Sequence, residues 1–261
     1  MTGRPVAAVL SVALAVAAAP ALAEEVVTIE TRPGVTQSFV LVEPAGKPVA
    51  GAILLPGGNG KMGLWRNPDR RTNNFLVRAR QRFAAGGVLV AVVDVPSDRR
   101  RPGLSGWRDS EEHRADMAAV AQWLRRKAAI PVWLVGTSRG TVSAAHLGAH
   151  LPVGGVVLTS SVTRSAMRNP ATALDAPLGS VRVPVLLVAH RQDGCTVTPA
   201  EGVNDLKAAL AASPRVEIML FDGGDPPRSG PCQALSEHGF LGIEDRVVDA
   251  IAGWMRARGN R

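Results

Sequence analysis

The sequence predicts an α/β protein built on a mostly parallel, doubly wound sheet of about eight strands. Two observations carry that expectation. Short apolar runs alternate with helix-forming stretches along the chain, as in successive strand–helix units. Several of the runs are unbroken Val, Ile and Leu rather than alternating apolar and polar, and a strand reads that way when helices cover both of its faces. No internal repeat or low-complexity linker interrupts the pattern, so one domain is expected over residues 24–261.

The first element is not part of that domain. Arg4 precedes an apolar run from Val6 to Ala19, and Ala21-Leu22-Ala23 has the small-x-small form that signal peptidase accepts. Residues 1–23 are therefore expected to be a removed signal peptide. The run is shorter than the ~20 residues of a bilayer span and is followed by Pro20, which argues against a stable membrane anchor. The implied destination is periplasmic or secreted, an oxidising compartment. Strands are then expected at Val26–Thr31, Gln37–Val42, Gly51–Leu55, Val88–Val95, Val132–Val135, Gly155–Thr159, Val183–Ala189 and Val216–Phe221. Helices are expected at Asn74–Ala85, Asp109–Ala128, Thr141–Ala149, Ala200–Ala211 and Asp245–Arg258.

Composition narrows the function. With 46% hydrophobic residues in 261, the chain can bury a large core, which excludes general disorder; two cysteines exclude a disulfide scaffold. The formal charge of +8 favours anions, but aromatics are 4% and tyrosine is absent. That is poor material for stacking bases, and no nucleic acid partner is expected.

Ligands of such sheets bind beyond the carboxyl ends of the strands. After Val132-Trp133-Leu134-Val135 comes Gly136-Thr137-Ser138-Arg139-Gly140, then the small residues of a helix. A serine on a sharp strand-to-helix turn is lifted clear of the sheet, and flanking glycines remove Cβ atoms that would collide with neighbouring backbone. The helix N-terminus adds backbone N–H groups beside the serine oxygen.

With this motif in this place, the chain resembles the α/β-hydrolase superfamily from its opening strands to its last helix. The resemblance implies a Ser-acid-His order and a small-molecule ester or acyl substrate, with no metal or cofactor. Asp193, after the strand ending at Ala189, takes the acid position, and His238, before the final helix, takes the base. Asp222, Asp225 and Glu237 remain competing acids. For the oxyanion hole the resemblance points to the N–H groups of Arg139 and Gly58, the latter in Pro56-Gly57-Gly58-Asn59-Gly60, with Gly57 or Asn59 as alternative donors. A phosphate loop is not expected, because Gly60-Lys61-Met62 lacks the hydroxyl.

Cys195 and Cys232 lie on the two loops that this arrangement must bring together, so an exported chain is expected to join them. The bridge would close about 38 residues and be worth roughly 3–4 kcal/mol. His146 and His150 share a helix face but lack the glutamate and third ligand of a zinc site; Leu147 stands where the glutamate would be. Asn59, Trp65 and Trp107 are candidate substrate-binding residues, and Arg99-Arg100-Arg101, on the catalytic edge, allows an anionic substrate. The connection from Thr159 to Val183 is too short for a large helical cap. The reading that follows is an exported serine hydrolase of carboxylic esters. A serine peptidase or acyltransferase with the same triad, and a noncatalytic binding protein, are the alternatives.

Overall fold

The apolar runs at the centre of the chain are covered on both faces, and that coverage sets the architecture. The computed structural model describes residues 22–67, 72–167 and 170–259; most of the expected signal segment lies outside them. Its strands are β1 (Glu24–Arg32), β2 (Val35–Val42), β3 (Ala50–Leu55), β4 (Val88–Val93), β5 (Val132–Thr137), β6 (Gly155–Thr159), β7 (Val185–His190) and β8 (Val216–Phe221). The helices are α1 (Phe75–Arg78), α2 (Arg80–Ala85), α3 (Glu111–Ala128), α4 (Gly140–His150), α5 (Gly202–Ala209) and α6 (Glu244–Gly259). All eight strands form one sheet in the order β1-β2-β4-β3-β5-β6-β7-β8. β2 runs antiparallel to β1 and β4, and the strands from β4 through β3 to β8 are mutually parallel.

Alternate side chains of each central strand enter opposite cores. On one face Ile53, Leu134 and Leu187 pack with Met117 and Leu124 of α3, Leu147 of α4 and Leu206 of α5. On the other, Leu54, Val135 and Val188 pack with Phe83 of α2 and Val248 and Ile251 of α6. This two-sided burial is why the runs are apolar throughout.

Element ends depart from the expectations where a polar side chain redirects the backbone. β4 stops at Val93 instead of Val95 because buried Asp94 turns its carboxylate onto the N–H groups of Met62, Leu64 and Val95. The helix expected over 74–85 is two short helices meeting at Ala79, where the buried Arg80 guanidinium donates to the carbonyl of Val77 and pairs with Glu24. α3 begins at Glu111, because Ser110 accepts the N–H of His113 and so caps it. Between β6 and β7 the described residues hold only two 3₁₀ turns, Ala173–Asp175 and Leu178–Ser180. Among the described residues, no helix is long and apolar enough to cross a membrane.

Candidate active site

Three loops at the carboxyl ends of β3, β5 and β7 meet the segment that follows β8. Ser138 occupies the turn from β5 to α4 with φ +51°, a left-handed conformation that costs a serine energy and must be held by its surroundings. Its N–H donates to Thr159 O at 3.0 Å, and its carbonyl accepts Thr141 Oγ1 at 2.6 Å. The glycines around it are steric requirements. A Cβ on Gly140 would fall 2.0 Å from Leu55 O, and one on Gly57 would fall 2.9 Å from Ser138 Cβ. The Pro56–Gly60 loop therefore lies directly against the serine.

His238 sits in a short 3₁₀ turn, 5% exposed, and its carbonyl accepts Ser160 Oγ at 2.8 Å. Its Nδ1 lies 3.0 Å from Asp193 Oδ2 and 3.1 Å from Thr198 Oγ1. Thr198 Oγ1 in turn donates to Asp193 Oδ2 at 3.0 Å. A hydroxyl has one proton, so with that proton on Asp193 the threonine oxygen accepts from His238, and Nδ1 carries hydrogen. In the neutral imidazole that tautomer leaves the lone pair on Nε2. The second oxygen of Asp193 accepts the N–H of Cys195 at 3.0 Å, and Cys195 is bonded to Cys232. Ser138, His238, Gly57, Gly58, Asn59 and Cys232 line a common cleft of about 320 Å³.

Among the described residues, no protein oxygen accepts from the N–H of Gly58 or of Arg139, the expected oxyanion donors. The loop carrying Gly58 is held from behind by Arg108. This buried guanidinium donates to Pro56 O and Gly58 O, both at 3.1 Å, and to Ser143 Oγ of α4 at 2.9 Å. Burial, with the positive Arg139 nearby, lowers its pKa from the ordinary guanidinium value. Ser143 Oγ also meets His113 Nε2 at 3.0 Å; burial first, then the charge of Arg108, pushes the His113 pKa down to about 3.

The remaining candidates separate. Asp222 faces Arg191 and Arg246 on the surface, and among the described residues Asp193 is the carboxylate bonded to His238. Asn59 lines the cleft, whereas Trp65 lines a neighbouring cavity. Trp107 lies between Arg32 and Arg99, with its ring 5.8 Å from that of His113. The His146 and His150 rings lie against each other, 4.6 Å between centroids. Thr198, Arg108 and Ser143 were not singled out from the sequence, since their partners are brought near only by folding.

No family model matches the chain, and no curated protein matches its sequence. Solved structures match its fold. The Pyrococcus furiosus esterase Pf2001 superposes with TM-score 0.66 at 13% identity, covering 91% of this chain and 92% of that one. XC6422 from Xanthomonas campestris, an α/β serine hydrolase without lid, gives 0.57 at 14% over 91% and 94%. A dienelactone hydrolase from Anabaena variabilis gives 0.60 at 16% over 92% and 97%.

Proposed function

We propose that this chain, which has a lidless α/β-hydrolase fold, is a serine hydrolase that cleaves small carboxylic esters. The observation that carries the reading is the pairing of Asp193 with His238 beside the cleft into which the strained turn presents Ser138. The esterase and hydrolase names of its structural neighbours agree with it.

In this reading His238 Nε2 takes the proton of Ser138 Oγ as the oxygen attacks the ester carbonyl. Asp193 and Thr198 hold the imidazole by its Nδ1–H, and Asp193 stabilises the imidazolium that forms. The N–H groups of Gly58 and Arg139 receive the carbonyl oxygen as it becomes negative. His238 then returns the proton to the leaving alcohol, and water cleaves the acyl-enzyme by the same route in reverse. The N-terminal pattern and the Cys195–Cys232 bridge support export to the periplasm or beyond, as a single mature domain from residue 24.

Labelling with a fluorophosphonate, followed by mapping of the modified peptide, tests the reading. Modification at Ser138 and turnover of ester substrates are expected. A chain that is neither labelled nor active on any ester, amide or acyl acceptor is a binding protein instead. Turnover of amides, or transfer to an acceptor in preference to water, would identify a peptidase or an acyltransferase.

A further inference from the structure

Next to the cleft, and sharing Asn59 and Lys61 with it, lies a second cavity of about 560 Å³. Lys61, Arg66, Arg100 and Arg101 line it together with exposed Trp65, and among the described residues no carboxylate lines it. The Trp65 ring carries two guanidinium groups, Arg66 at 4.5 Å and Arg100 at 5.0 Å from its centroid. A guanidinium stacked on an aromatic face keeps its in-plane N–H donors free for an oxyanion.

Two features distinguish this wall from an ordinary solvated charge run. Several arginines elsewhere meet carboxylates: Arg32 pairs with Asp98 and Asp116, Arg78 with Glu244 and Arg82 with Asp249. Among the described residues, Arg66, Arg100 and Arg101 have no such partner. The wall is also fixed in place. Both oxygens of buried Asp94 are engaged by the backbone N–H groups of Met62, Leu64 and Val95, which holds the segment leading to Trp65. Lys61 links the two loops, its Nζ donating to Arg101 O at 2.8 Å and its N–H to Asn59 Oδ1 at 3.1 Å. Gathering like charges without counter-ions opposes folding, and it focuses a positive field at the mouth of the cleft.

We propose that this cavity binds an oxyanion, and that the substrate is an ester carrying a second, acidic group. Arg66, Arg100 and Arg101 hold its carboxylate or phosphate while the ester carbonyl lies at Ser138. The substrate part of the proposal rests on the serine-hydrolase reading; the binding of an oxyanion does not.

The test compares mono-4-nitrophenyl esters of adipic and suberic acids with 4-nitrophenyl hexanoate and octanoate, neutral esters of the same chain lengths. The wild-type protein is expected to have the higher kcat/KM on the acid esters. The acid-to-neutral ratio should fall about tenfold or more in Arg66→Gln/Arg100→Gln/Arg101→Gln, mainly through KM, and fall in the wild type as salt is raised. A wild-type ratio of one or less, or a ratio the triple substitution leaves alone, overturns the substrate assignment. Calorimetric titration with free suberate and with inorganic phosphate reads the site without turnover. Saturable binding lost in the triple variant supports it, and the tighter ligand tells carboxylate from phosphate; no binding of either overturns the site. A Ser138 inert to fluorophosphonate in a protein that still binds suberate would remove the hydrolase reading and leave the oxyanion site standing.

Discussion

Ser138 holds a left-handed backbone through bonds of its own N–H and carbonyl, which an alanine would keep. Ser138→Ala should therefore lower ester hydrolysis by about 10⁴-fold or more and leave the thermal unfolding midpoint close to that of the parent. Initial rates and a melting curve on one preparation check both halves. Thr198 offers a finer test, because its hydroxyl both donates to Asp193 and accepts from His238. Thr198→Val should reduce kcat about tenfold with KM nearly unchanged, the size of one lost buried hydrogen bond, and Thr198→Ser should restore it. The sequence points to Ser138 through its glycine-flanked strand-to-helix turn, and to Asp193 and His238 through the triad order that the resemblance to α/β-hydrolases implies. It does not point to Thr198, since a hydroxyl five residues past Asp193 has no spacing that marks it. For Trp107 the sequence leaves the role open for a related reason: a loop position does not tell which way the ring faces.

At the scale of elements, the number of strands and their places along the chain were legible, because two-sided burial writes itself as unbroken apolar sequence. The ends were not. β4 and the 74–85 segment are shortened or broken by Asp94 and Arg80, whose partners lie in other parts of the chain. The same applies to the brace behind the Pro56–Gly60 loop, where one guanidinium joins two loop carbonyls to α4. Arg108→Met keeps much of the buried volume and removes all three bonds. It should lower kcat on neutral esters by about tenfold or more by freeing the loop, and destabilise the protein by roughly 2–3 kcal/mol, the scale of hydrogen bonds to a charged group. Arg108→Lys should not rescue it, since an ammonium cannot span the same acceptors. Steady-state kinetics and denaturant titration of the two variants decide this.

For the whole molecule, His113 ties stability to pH. Its pKa falls from 6.5 to about 3 on folding, chiefly through burial. Between those values the unfolded chain binds a proton that the folded one does not. Stability is thus complete above about pH 6.5 and is lost as pH falls towards 3, by up to about 1.4 kcal/mol per pH unit. Melting curves from pH 7 to 4 should show a steeper decline in the parent than in His113→Gln. A different consequence follows from the bridge between Cys195 and Cys232, which are 37 residues apart and enclose α5 and β8. Among the described residues β8 is the last strand of the sheet and pairs only with β7, and exposed Arg215 and Arg228 stand on either side of it. A protease that cuts at either arginine opens a ring rather than severing the chain, so His238 stays covalently attached to the loop that carries Asp193. Trypsin-nicked protein should keep hydrolysing esters while oxidised, then shed its C-terminal piece and its activity once a reductant is added, which electrophoresis and rate assays on the same digest would record.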